Sequence, residues 1–90
     1  MMVSKDDAME AVDTLVRYIE GCEGELREGL SETPKRVVNS YDEIFSGYSQ
    51  NSGEILDSTF NAEGYDGIVL LRDMEFHSTC EHHLQPFSGR

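Results

Sequence analysis

Residues 73–89 read DMEFHSTCEHHLQPFSG, and four neighbours inside this stretch, Cys80, Glu81, His82 and His83, carry its chemistry. Two of the chain's three histidines and one of its two cysteines lie in this tetrad. A thiol and two imidazoles this close together are a candidate site for a soft metal with an acid–base group beside it.

Cys80 and His83 are the best-spaced ligand pair in the tetrad. Thiolate and imidazole are common zinc ligands, at about 2.3 and 2.1 Å from the metal. Two intervening residues suit a tight turn that aims both side chains at one point. Adjacent side chains diverge on a strand and do not face each other on a helix. The spacing therefore favours His83 as the ligand and leaves His82 free for proton transfer.

The tetrad falls one ligand short of a catalytic zinc site, which needs three protein ligands and an open position. His77 and Cys22 are the other strong candidates, but we expect the third ligand to be missing from this chain. Spacing alone leaves plainer interpretations open. Cys80 could be a buried apolar thiol, and the histidines, His77 included, could be ordinary surface side chains.

Composition restricts the class of protein. Ninety residues, 38% of them apolar and none of them Trp, predict one small domain with a thin core. Such a core favours oligomerisation or a partner chain. The net charge of −11 disfavours nucleic acid and anionic membrane as partners. With no signal peptide, no membrane-length segment and no disulfide framework, we expect a cytoplasmic protein.

Apolar periodicity predicts two helices, over about residues 5–20 and 33–46. The first begins with a capping box formed by Ser4 and Asp7 and ends at Gly21. The second has an N-cap at Thr33, followed by Pro34 and Lys35 in its first turn, and ends at Gly47.

A strand is predicted over about residues 68–76, after a long connection with a short element near Ile55. Residues 68–71, IVLL, are apolar on both faces and are expected to be buried on both sides. A single strand cannot stand alone. We therefore expect its partners to come from sequence beyond Arg90 or from other chains, in an α+β fold.

Two patches resemble the GTP cyclohydrolase I family. The first is residues 73–89, in which Ser-x-Cys-Glu-His-His is followed by Pro-Phe and Gly. The second is residues 33–47, with TPKRV and then YDEIFSG. The two patches occur in the family's order, and the resemblance spans essentially residues 6–90.

The resemblance implies a tunnelling fold, in which helices pack on an antiparallel sheet and subunits close into a decameric ring with shared active sites. It implies hydrolytic opening of the GTP imidazole ring to give formate and 7,8-dihydroneopterin triphosphate, a step toward folate or tetrahydrobiopterin. By position, Cys80 and His83 match two of three zinc ligands, and His82 matches the acid–base histidine. Zinc lowers the pKa of a bound water to about 7.

Arg36 matches an arginine that helps to hold the triphosphate of GTP. Physically, Lys35 and Arg36 lie in the first turn of a helix, where free N–H groups and cations together attract phosphate. Without the resemblance, two solvated basic side chains beside Glu32 are the simpler interpretation. Glu81 is assigned no catalytic role.

The family continues for about as long again, so we expect residues 1–90 to form the N-terminal part of one domain. That continuation carries the third zinc ligand, a carboxylate that grips guanine and most of the sheet. Two alternatives stay open. One is a non-catalytic fragment that acts as an assembly partner or structural zinc module. The other is a related tunnelling-fold enzyme of pterin or queuosine-precursor synthesis.

Overall fold

A computed structural model describes residues 2–90, which form two compact units that divide between Ser58 and Thr59. The first unit is helical and contains α1 (Lys5–Glu20), α2 (Thr33–Ile44) and the short α3 (Ser52–Ile55). The second contains two strands, β1 (Phe76–Thr79) and β2 (Pro86–Gly89). The chain is therefore α+β, as predicted.

Both ends of α1 follow the predicted caps. The Ser4 hydroxyl accepts a hydrogen bond from the Asp7 amide at 3.1 Å, and the Ser4 amide donates to the Asp7 carboxylate at 3.2 Å. Gly21 adopts the left-handed conformation with φ +65° and closes the helix, which costs a glycine little because it has no Cβ. The helix at 5–20 is confirmed at both bounds.

The helix α2 begins at Thr33 as predicted, but its cap is one residue earlier, at Glu32, whose side chain makes no capping hydrogen bond. The helix ends at Ile44, two residues before the predicted bound. Gly47 lies instead in a 3-10 turn, Ser46–Ser49. A second 3-10 turn, Glu28–Leu30, occupies part of the loop predicted between the helices.

The two long helices pack against each other with little burial. Val38 of α2, 6% exposed, is the one buried apolar side chain of the core among the described residues apart from Pro34. An ion pair at 3.0 Å from Lys5 Nζ to Asp42 Oδ2 joins the first turn of α1 to the end of α2. The core of this unit is therefore thin, as the composition predicted.

Arg17 fastens the end of α1 to the loop that follows. Its Nε donates to Asp13 Oδ2 at 2.7 Å, and its guanidinium also donates to the carbonyl of Gly24. The hydrogen bond to Asp13 raises the pKa of Arg17 above its usual value.

The predicted strand over 68–76 is wrong except at its last residue, since β1 begins at Phe76. Residues 68–71 lie outside regular structure, with Ile68 87% and Leu71 72% exposed, so they are not buried on either side. Asp73, three residues before β1, has φ +58°, which is not a strand conformation. Without a ladder partner for its amides, an apolar run of this length has nothing to hold it as a strand.

The partner of β1 lies within the chain, which corrects the expectation that it would come from elsewhere. The strands β1 and β2 form an antiparallel hairpin in which Phe76 faces Gly89 and Thr79 faces Pro86. Phe76 also packs edge-on against Phe87, with ring centroids 6.4 Å apart. Proline is tolerated at the first residue of β2, but a proline in the sequence argues against predicting a strand there.

No helix within residues 2–90 has the length and apolar character needed to cross a membrane.

Candidate functional site

The tetrad forms the turn of the β1–β2 hairpin. The Cys80 amide donates to the Gln85 carbonyl at 2.8 Å, and the Leu84 amide donates to the Cys80 carbonyl at 2.9 Å. The second bond joins residues four apart, as in one turn of an α-helix. Leu84 adopts φ +54° and returns the chain into β2. Both hydrogen bonds that close the turn therefore involve the peptide groups of Cys80.

Within this turn the Cys80 side chain is half-buried, whereas Glu81, His82 and His83 are exposed. The Cys80 Sγ lies 3.8 Å from His82 Nδ1. The two imidazole rings are 6.1 Å apart between centroids, with 32° between their planes. The structure thus brings His82 to the thiol, while the predicted partner of Cys80 was His83.

The donors in the turn fit zinc in chemical type. Two tetrahedral ligands at zinc–sulfur and zinc–nitrogen distances lie about 3.6 Å apart. The 3.8 Å between Cys80 Sγ and His82 Nδ1 is close to that spacing, so this turn can bring a thiolate and an imidazole to one metal. Residues 2–90 hold no group of three or more histidine, cysteine or acidic side chains arranged to bind a metal. The donor number therefore falls short of a closed site.

The other two candidate ligands lie elsewhere. His77 is in β1, paired with Ser88 of β2. Cys22 follows the end of α1 in the helical unit, where its Sγ lies 3.8 Å from the Gly24 carbonyl oxygen. Both cysteines are free thiols.

The predicted phosphate-binding residue, Arg36, lies in the first turn of α2 in the helical unit. Arg36 and its neighbour Lys35 are exposed, and the first turn of α2 contains no acidic residue. The Arg36 amide is already bonded to the Glu32 carbonyl at 3.0 Å. Phosphate binding here would therefore rely on the cationic side chains more than on the amide of Arg36.

Sequence reasoning missed the two residues that close the turn through their backbones, Leu84 and Gln85. Glycine or asparagine at position 84 would have indicated a left-handed residue. Leucine gives no such signal, and the four residues PFSG of β2 do not resemble a strand. The sequence therefore does not predict the hairpin, although it singles out the tetrad that forms its turn.

Comparison with known proteins matches nearly the whole chain, including the tetrad. The family model described as GTP cyclohydrolase I matches residues 8–90. A protein named GTP cyclohydrolase 1 from Rickettsia bellii is 49% identical over 87 residues, covering 96% of this chain and 44% of the relative. Proteins of the same name from Hyphomonas neptunium and Rickettsia felis are each 48% identical and are covered over 42% and 45% of their lengths.

The chain therefore spans less than half the length of these relatives, and the match lies in their N-terminal part. No solved structure matches the chain.

Proposed function

The chain belongs to the GTP cyclohydrolase I family, and from this premise we propose that it supplies part of the active site of a GTP cyclohydrolase. The reaction is hydrolytic opening of the GTP imidazole ring, with release of formate and formation of 7,8-dihydroneopterin triphosphate. The observation that carries the proposal is the tetrad, which lies on a closed hairpin turn inside the matched residues 8–90.

Cys80 and His83 would hold a zinc ion, with a third ligand from outside residues 1–90. The support is their donor chemistry and their spacing, since residues three apart lie on one side of a helical turn. When bound, zinc acts as a Lewis acid that activates water for attack on the purine ring.

His82 would transfer protons during ring opening. Its Nδ1 lies beside the Cys80 sulfur at 3.8 Å, so Nε2 is the nitrogen that remains to face a substrate. Histidine is the side chain that most often serves as a general acid–base group.

Arg36 would bind the triphosphate of GTP, with Lys35 beside it. Two cations together in an exposed helical turn attract a polyanion, and the carboxylate of Glu32, the N-cap residue, offsets only part of their charge. In a chain of net charge −11 such a local positive patch is needed for an anionic substrate to approach.

The proposal includes a larger assembly: a tunnelling fold completed by the part that the relatives carry beyond the match, or by further copies in a decameric ring. Its support is the 42–45% coverage of the relatives together with the exposed apolar run at 68–71. We place the assembly in the cytoplasm.

The test is formate release from GTP by the purified 90-residue chain, alone and mixed with the part of the Rickettsia bellii relative that follows the matched region. We expect no turnover by either polypeptide alone and turnover by the mixture. Full turnover by the 90-residue chain alone would contradict the shared site. Association without turnover would favour the non-catalytic alternative, an assembly partner or structural zinc module.

A further inference from the structure

We propose that Leu84 is a positioning residue for the metal ligands and acts through its backbone rather than through its side chain. The proposal rests on the metal site proposed above. It concerns a residue next to the tetrad that contributes no donor atom of its own.

The first observation is the conformation of Leu84. It is one of three non-glycine residues in the described chain with positive φ, at +54°, and its side chain is 61% exposed. For an L-residue the left-handed region is disfavoured, and leucine lacks the short polar side chain with which asparagine offsets that cost. The surroundings of Leu84 therefore hold it in this conformation.

The second observation is the role of that conformation in the turn. The Leu84 amide donates to the Cys80 carbonyl at 2.9 Å, while the Cys80 amide is fixed by Gln85 at 2.8 Å. Between these bonds the chain makes one helical turn, and φ +54° at Leu84 directs it into β2. If Leu84 took an extended conformation, the helical turn would open and the direction of the Cys80 side chain would no longer be fixed relative to either histidine.

The exposed side chain contributes little to this geometry. Side chains that matter for packing are buried, whereas that of Leu84 lies mostly in solvent. Replacement of Leu84 by glycine or asparagine, which accept the left-handed region, should therefore preserve the geometry of the turn, although the leucine methyl groups are lost.

Two kinds of variant test the proposal: those that accept positive φ at position 84 and those that disfavour it. Leu84→Gly and Leu84→Asn keep the amide donor and accept positive φ. Leu84→Pro removes the donor and fixes φ near −65°. Leu84→Ile keeps the donor and an apolar side chain, but its β-branched side chain disfavours positive φ. Leu71→Pro is the matched control, since Leu71 is exposed and lies outside the hairpin.

The probe is Co²⁺, titrated into the 90-residue chain at concentrations high enough for a weak site, with the thiolate-to-cobalt absorption band as the readout. We expect Leu84→Gly and Leu84→Asn to bind as tightly as the wild type or more tightly. Leu84→Pro should bind about tenfold more weakly or worse, Leu84→Ile should lie between them, and Leu71→Pro should match the wild type.

Equal cobalt affinity in Leu84→Pro and the wild type would overturn the inference and leave the metal site standing. Loss of affinity in Leu84→Gly and Leu84→Asn would also overturn it, because the side chain would then be what matters. A wild-type chain with no thiolate–cobalt band at any concentration would overturn the proposed metal site and this inference with it. Amide hydrogen exchange at Leu84, slow in the wild type and fast in Leu84→Ile, reports the same turn without metal.

Discussion

At the scale of single residues, the proposed metal site offers Cys80 two candidate histidine partners. His83 has the sequence spacing expected of a ligand that acts together with Cys80. His82 is the histidine that contacts Cys80, with its Nδ1 3.8 Å from the thiol sulfur. The exposed position of both rings leaves each free to turn. The proposed roles, metal binding for His83 and proton transfer for His82, can therefore be separated by measuring the metal affinity of variants at each position.

We predict that Cys80→Ser and His83→Gln lower the affinity for Zn²⁺ or Co²⁺ by at least about tenfold, because each removes a proposed ligand. His82→Gln should change metal affinity much less. His77→Gln is the control for loss of a histidine, since His77 lies in β1 outside the turn. A larger loss in His82→Gln than in His83→Gln would exchange the two roles.

A second prediction at this scale concerns the cap of α1. Ser4→Ala removes the hydroxyl that accepts from the Asp7 amide and should lower the free energy of unfolding of the helical unit by about 1 kcal/mol. Thr14→Ala is the control within the same helix. The Thr14 hydroxyl bonds to the Glu10 carbonyl, and alanine is the better helix former there. Thermal unfolding followed by circular dichroism would contradict the cap if both variants behaved alike.

At the scale of elements, the hairpin depends on the close approach of Phe76 to Gly89. A Cβ on residue 89 would lie 2.7 Å from the Phe76 ring, closer than packed atoms approach. The aromatic ring thus covers the glycine across the strand pair, an arrangement that offsets the weak strand preference of glycine.

We therefore predict that Gly89→Ala displaces the Phe76 ring and weakens the hairpin. NMR cross-peaks between Phe76 and residue 89, and slow amide exchange in β1, should be lost or reduced. Ser88→Ala, at the neighbouring position of the same strand, is the control and should leave both unchanged. A Phe76 ring that keeps its contacts in Gly89→Ala would contradict the packing described here.

The elements also differ in how well the sequence predicts them. The helix α1 was predicted to the residue because its periodicity and both caps agree on the same bounds. The prediction of a strand over 68–76 was wrong because it followed the apolar run at 68–71, which suggests a buried strand. The strand that forms, β1, is decided by its hydrogen-bonding partner β2, whose sequence PFSG does not resemble a strand. Strand formation depends on a partner elsewhere in the chain, whereas caps are local. The tetrad could be singled out as a candidate site because donor chemistry depends on residue type and spacing, and its role stays a prediction.

At the scale of the whole molecule, the described residues bury very little. Among apolar side chains of the core Val38 is the clearest case of burial, and large side chains such as Tyr18 and Phe60 are more than four-fifths exposed. Small domains bury a smaller share of their surface than large domains do. The chain covers 42–45% of the length of its relatives, and we propose that packing against further polypeptide covers these exposed side chains.

We predict that the isolated chain unfolds at low denaturant concentration, and that addition of the remaining part of the Rickettsia bellii relative raises the midpoint, because association stabilises the folded state by mass action. The rise should grow with the concentration of the added part. The same experiment with an unrelated polypeptide of equal length is the control, and an unchanged midpoint at all concentrations would contradict the expected association.

The proposal that this chain contributes a catalytic group to a shared active site predicts a specific effect of replacing His82. Formate release from GTP is measured for the mixture with the remaining part of the Rickettsia bellii relative, using wild-type chain or His82→Gln, with zinc content determined in both. We predict that His82→Gln retains zinc and loses at least about 99% of the turnover, within the range for a general acid–base group. Equal turnover in the two mixtures would contradict it.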